Sequence, residues 1–235
     1  IKDISEKTGP ISRNWAVVGN GPNKIAADEI RIKLSELCYK SIPCDFTEDK
    51  KHIDLSTEPL TIVVANDLPD QIVQDTAKEV AIFKAHNGKP IVLCSEGETR
   101  FSGYADSLIE LPVVGAGLDF VPATAAGHLW GFHTARAIDS RADSLRSCRS
   151  VLTRFLEEPQ SWDKSLLIDQ IQMIVSTIAE GEMNSALPAS AVALLSTYIL
   201  DLITVGCEPQ FTPDILERGI SILTKAIEEM TRPID

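Results

Sequence analysis

Lys33-Leu34-Ser35-Glu36 places an ammonium and a carboxylate three residues apart, in a segment whose apolar residues recur at helical spacing. Positions i and i+3 share a helix face, so the two charges open into one space. A carboxylate beside a cation is a proton-transfer pair, the carboxylate taking the proton and the cation steadying the charge left behind. The same residues fit a hydrated row, because Glu29, Lys33, Glu36 and Lys40 alternate in sign at spacings of three and four, and such rows are usually plain solvated faces. His52 ends the charged run Glu48-Asp49-Lys50-Lys51-His52. A loop imidazole titrates near neutrality and can act as acid or base, although most loop histidines are simply exposed.

Gly19-Asn20-Gly21-Pro22 lies between an apolar run and a helical one. Glycines there permit close approach of a ligand, and a helix N-terminus favours an anion; a plain tight turn uses glycine in the same way. The loop is not a dinucleotide fingerprint, because position 24 is lysine where glycine is required, and no Walker sequence occurs. Cys148 stands near Arg146 and Arg149, cations that lower a thiol pKa, but no base accompanies it. His86 sits at an expected helix end, His128 and His133 read as packing or surface residues, and no pair has the spacing of metal ligands. No metal and no cofactor are expected.

These residues need a framework to position them. Trp15–Val18, Leu60–Ala65, Pro90–Cys94 and Leu108–Val114 are short apolar runs bounded by turn residues, the pattern of buried strands. Residues 24–41, 67–86 and 121–139 read as helices, the first stopped by Pro43, and 44–58 as an irregular charged loop. Strands alternating with helices predict an α/β domain built on a mostly parallel sheet, with ligands beyond the strands' C-terminal ends. After Ser140 no strand is expected, and residues 143–157, 163–180, 187–205 and 213–231 read as helices. The predicted organisation is a linker over 1–12, an α/β domain over 13–155 and a helical extension over 156–235.

Composition narrows the partners. The chain has 235 residues and a formal net charge of −12, carried unevenly: 18 basic against 21 acidic residues up to position 155, and 4 against 13 beyond it. An acidic surface repels phosphate backbones, so nucleic acid is excluded as the expected partner. No apolar run is long enough for a membrane span. Five cysteines with no C-x-x-C argue against a disulfide framework or zinc ribbon and fit a cytoplasmic protein. The start lacks an initiator methionine, which reads as a piece of a longer protein.

Taken together, Lys33-Leu34-Ser35-Glu36, a histidine sixteen residues after the glutamate, the Gly-x-Gly turn before the helix and Gly127-His128-Leu129-Trp130 in the long helix resemble the second sugar isomerase (SIS) domain of the glutamine–fructose-6-phosphate aminotransferases. The resemblance covers roughly residues 13–152. It implies an SIS-type parallel sheet flanked by helices and a phosphosugar substrate. Glu36 matches the carboxylate that moves a proton between C1 and C2. Lys33 matches its neighbouring cation, and His52 the ring-opening histidine that enters the neighbouring subunit's pocket. A homodimer follows from that. Gly19, Asn20 and Gly21 are the substrate-binding candidates.

Two departures qualify the match. Where the family carries a Schiff-base lysine in Ala-Lys-Ser-Val, this chain has Cys148-Arg149-Ser150-Val151. A guanidinium stays protonated and forms no imine, though it can stabilise an oxyanion. The chain also runs about 80 residues beyond the family's usual end, and it lacks the N-terminal glutaminase and first SIS domain that the family places before this one. The expected function is therefore the C-terminal isomerase half of such an enzyme, inactive alone. The alternatives are a non-catalytic phosphosugar or nucleotide-sugar sensing module, and a bare dimerising scaffold.

Overall fold

The computed structural model describes residues 1–52, 59–115, 117–161, 163–204 and 212–230. The chain divides into two compact units, 1–135 and 136–235.

The first unit is built on a five-stranded sheet. β1 (Trp15–Gly19), β2 (Cys44–Asp45), β3 (Leu60–Ala65), β4 (Lys89–Ser95) and β5 (Ser107–Leu111) lie in the order β2-β1-β3-β4-β5. Every neighbouring pair is parallel, with Val17 opposite Ile62 and Ile62 opposite Ile91. The helices are α1 (Lys2–Thr8), α2 (Pro22–Cys38), α3 (Thr47–Lys50), α4 (Asp70–Ala85) and α5 (Phe120–Arg141).

β1 and β3 are buried along their whole length, as a sheet covered on both faces requires. Successive side chains alternate between faces. Val18, Val63, Ala65, Val92 and Cys94 pack with Val73, Ala77, Val80 and Phe83 of α4. Trp15, of the opposite parity to Val18, meets Trp130 of α5 edge-on at 5.3 Å, so α5 covers the other face. There α5 lies close to α2. A Cβ on Gly127 would stand 2.3 Å from Cγ1 of Ile30, and one on Gly131 2.6 Å from Cδ2 of Leu34.

Element bounds shift from the sequence expectations for local reasons. α2 ends at Cys38 because Tyr39 turns left-handed (φ 51°), ahead of Pro43. β5 stops at Leu111, where Pro112 brings no N–H to the ladder. Three elements went unread: α1 lies in the segment taken as a linker, and β2 and α3 in the segment taken as irregular loop. At two residues β2 is too short to show a period.

The second unit is helical: α6 (Asp143–Glu157), a 3₁₀ turn at Pro159–Ser161, α7 (Lys164–Ala179), α8 (Ala189–Thr204) and α9 (Pro213–Met230). Leu145, Cys148, Leu152 and Phe155 form the buried stripe of α6, which packs on α7 and α9. Asp163 caps α7, its Oδ1 accepting the N–H groups of Ser165 at 2.9 Å and Leu166 at 3.3 Å. Gly219 of α9 admits Tyr198 of α8, since a Cβ there would fall 2.1 Å from the phenol oxygen. The division between the units falls inside α5, about twenty residues before the expected boundary at 155. The reason is that α6, read as the end of the α/β domain, spends its apolar stripe on the helical core.

Candidate functional site

From β1 the chain goes outward to β2, then returns across β1 to β3 on its other side. The crossovers leaving β1 and β3 run in opposite directions, to β2 and to β4, and open a crevice beyond the C-terminal ends of those two strands, the position where open α/β sheets bind ligands. Three loops border it: Gly19-Asn20-Gly21 after β1, Asn66-Asp67 after β3 and Ser95 at the end of β4.

The glycines have backbone reasons to be there. A Cβ on Gly19 would lie 2.5 Å from the Asn23 carbonyl oxygen, and Gly21, the N-cap of α2, has φ 56°. Asn20 is fixed by its amide, which donates to Thr47 Oγ1 at 2.5 Å and to Thr76 Oγ1 at 3.3 Å. The Thr47 N–H returns to Asn20 Oδ1 at 3.4 Å.

A second chain of hydrogen bonds runs beside it. Asn23 Nδ2 donates to the Asn66 carbonyl at 2.7 Å, Asn66 Nδ2 to the Asp119 carbonyl at 3.0 Å, and Ser95 Oγ to Asn66 Oδ1 at 3.0 Å. Ser95 Oγ accepts the Asp67 N–H at 2.8 Å. Asp67, left-handed at φ 49°, holds its carboxyl against Asp119. That contact raises the Asp67 pKa. Burial pushes Asp119 the same way, but the Val114 and Gly115 N–H groups outweigh it and hold Asp119 below its ordinary value.

The residues singled out from sequence are partly brought together. Lys33 Nζ lies 2.6 Å from Glu36 Oε2, with 35% and 58% of the side chains exposed. The hydrogen bond to Glu36 raises the Lys33 pKa. The pair belongs to the last turns of α2, fifteen residues past Gly21 and so roughly 22 Å along the axis at 1.5 Å per residue. Because α2 starts beyond the C-terminal end of β1, the pair sits toward the opposite edge of the sheet from the crevice. His52 stays at the crevice end, after α3; it is 71% exposed, with Nε2 3.6 Å from Glu48 Oε1. Arg149 belongs to the second unit, where it donates to Thr224 Oγ1 at 3.3 Å. Lys33 and Glu36 therefore meet, and neither the glycine loop nor His52 meets them within one copy.

The arginines near Cys148 in sequence do not activate it. Burial pushes its thiol up to about 12, while Arg146 is engaged by Asp139 and Asp143, each at 2.6 Å.

Several residues of the crevice region were not singled out from sequence: Thr47, Asn66, Thr76, Glu79, Ser95 and Asp119. The rule that ligands gather after parallel strands points to Asn66 and Ser95. Nothing local marks Thr76 or Glu79, whose roles arise only when α4 comes against α3. Among the described residues no three His, Cys, Asp or Glu are grouped to hold a metal ion, and no helix is long and apolar enough to cross a membrane.

A parallel sheet of this order, flanked by helices and carrying its polar network at the switch point, defines an SIS-type α/β domain. No family model matches the chain. It is 27% identical over 152 residues to the isomerising glutamine–fructose-6-phosphate aminotransferase of Bacteroides thetaiotaomicron, covering 63% of this chain and 24% of that one. It is 28% identical over 127 residues to enzyme 2 of the same name from Homo sapiens, covering 52% and 18%. Among solved structures it is similar to the C-terminal domain of the Francisella tularensis glucosamine–fructose-6-phosphate aminotransferase (TM-score 0.48, 20% identity, 58% of this chain and 38% of that one). It is also similar to the sugar isomerase domain of an RpiR transcription factor from Sphaerobacter thermophilus (TM-score 0.47, 17% identity, 57% and 76%). Over half or more of its length the chain is thus similar to isomerising glutamine–fructose-6-phosphate aminotransferases, and it spans a quarter or less of the length of these curated relatives.

Proposed function

We propose that the chain acts as the C-terminal isomerase half of an aminotransferase-like enzyme that moves a proton on a phosphosugar, with Glu36 as base and Lys33 as the cation beside it. The observation that carries this is the 2.6 Å contact between Lys33 Nζ and Glu36 Oε2, in a chain whose sequence relatives are isomerising aminotransferases. A ketose phosphate with its C1–C2 unit at this pair loses a proton from C1 to Glu36. Lys33 offsets the negative charge that develops on the enediol oxygen, and Glu36 returns the proton to C2 as the hydroxyl proton passes from O1 to O2. A carboxylate 58% exposed in a single copy needs a covering surface to exclude water. In this reading a second copy supplies it together with its own His52, so the protein is a homodimer.

The second reading, a non-catalytic phosphosugar sensor, rests on a different end of the molecule. Gly19, Asn20 and Gly21 form an ordered loop at the start of α2, a position suited to a phosphate, some 22 Å along α2 from Glu36 by its rise. Glu36→Gln in the natural full-length protein, assayed with fructose 6-phosphate, separates the two. Loss of isomerisation with binding retained supports the base; binding with no turnover in the unaltered protein supports the sensor.

A further inference from the structure

Glu79 on α4 is 6% exposed, and its carboxyl contacts that of Glu48 on α3. The charged groups around this pair come from both helices. Lys51 Nζ is 2.6 Å from Glu48 and 3.8 Å from Glu79, and His52 Nε2 is 3.6 Å from Glu48. Lys50 is buried on the same short helix, and Asp75 of α4 feels Glu48 while pairing with Lys78. Two carboxyls in contact, one of them out of water, do not both ionise, so the pair holds one proton. Burial first, and Glu48 second, raise Glu79; the Glu79 hydrogen bond, followed by Lys51, holds Glu48 down at about 2. Of the two carboxyls, Glu79 is therefore the one that takes up a proton first.

What makes the pair more than a local feature is Thr47. Its side chain reaches Glu79, and the same residue takes the Asn20 amide at 2.5 Å. The second acceptor of that amide, Thr76, lies one helical turn before Glu79 on α4. The only side chain of the Gly19-Asn20-Gly21 loop is thus held by two threonines, one on each helix that the carboxyl pair joins.

We propose that Glu48 and Glu79 form a proton-operated clamp on this loop: one shared proton pins α3 to α4 and keeps Asn20 seated between Thr47 and Thr76, and its loss frees α3 and loosens the loop. This rests on the reading of the loop as a phosphosugar-binding element. The sign follows from the raised Glu79. Its contribution is complete below the ordinary glutamate value and is lost as pH rises through the raised one.

The test combines amide hydrogen exchange at Thr47 and Lys50, corrected for the intrinsic rate, with fructose 6-phosphate affinity, from about pH 4 to about pH 8, a range spanning the ordinary glutamate and histidine values. In the unaltered protein, protection and affinity both fall with rising pH, by ~3-fold or more relative to E79Q, which mimics the protonated state and stays flat. E48Q, at an exposed position, removes the like charge without touching the core, and moves the transition downward. H52Q removes the imidazole and leaves the transition in place. Parallel profiles for the unaltered protein and E79Q, or a transition abolished only in H52Q, overturn the clamp. A fall in protection with rising pH that E79Q abolishes, with no fructose 6-phosphate bound at any pH, upholds the clamp and rejects the loop's ligand instead.

Discussion

Glu36 and Glu79 show how the same side chain takes different work from its surroundings. Glu36 is more than half exposed and tied to a lysine, so it becomes a useful base only where something covers it. Replacing it by glutamine keeps the shape and removes the base. Isomerisation of fructose 6-phosphate by the full-length protein is expected to fall ~10²-fold or more with KM little changed, and turnover like that of the unaltered enzyme would remove Glu36 from the mechanism. Cys148 makes the complementary point about thiols. Arginines nearby in sequence suggested activation, but the thiol lies inside the helical core and its pKa is pushed up to about 12. Iodoacetamide near neutral pH is expected to label Cys148 only after denaturation; peptide mapping that finds it modified in the folded protein would show that the α6 stripe opens.

At the scale of elements, the contact of α2 with α5 depends on two glycines inside a helix, where propensity alone favours alanine by about 1 kcal/mol. Gly127→Ala would put a methyl group 2.3 Å from Ile30 Cγ1, and two further atoms of that buried side chain lie within 3 Å. Overpacking of this kind costs about 1–3 kcal/mol, so packing outweighs propensity. G127A is expected to lower the denaturation midpoint, and G127A/I30V to recover part of the loss. A G127A protein more stable than the unaltered one would mean that α5 shifts freely on α2. β1, β3 and β4 were legible from sequence because a strand buried on both faces is one uninterrupted apolar run, as in Leu60–Ala65. α1 and β2 were not, since a seven-residue polar helix and a two-residue strand carry no usable period.

For the whole molecule, the two compact units have separate cores, one of sheet and covering helices, the other of α6 through α9. Net charge of −12 on 235 residues keeps copies apart except where specific contacts hold them, so association is a demanding test of the composite site. Light scattering on the full-length protein is expected to give a mass twice that of one chain; a monomer at every concentration would leave Glu36 uncovered and favour the sensor. Binding by the loop without turnover then becomes the property to pursue.

Sequence alone determined the alternation of strand and helix, the helices described past Ser140, and the pairing of Lys33 with Glu36, because each depends on residues a few positions apart. Tertiary structure decided where those groups lie. α2 carries the ion pair toward the far edge of the sheet from Gly19-Asn20-Gly21. Asn20 finds Thr47 and Thr76 across 27 and 56 residues of chain, and Glu79 becomes a proton carrier only because α3 folds over it. Short-range periodicity is written in the order of the residues, whereas burial and the company a charge keeps are properties of the packed chain.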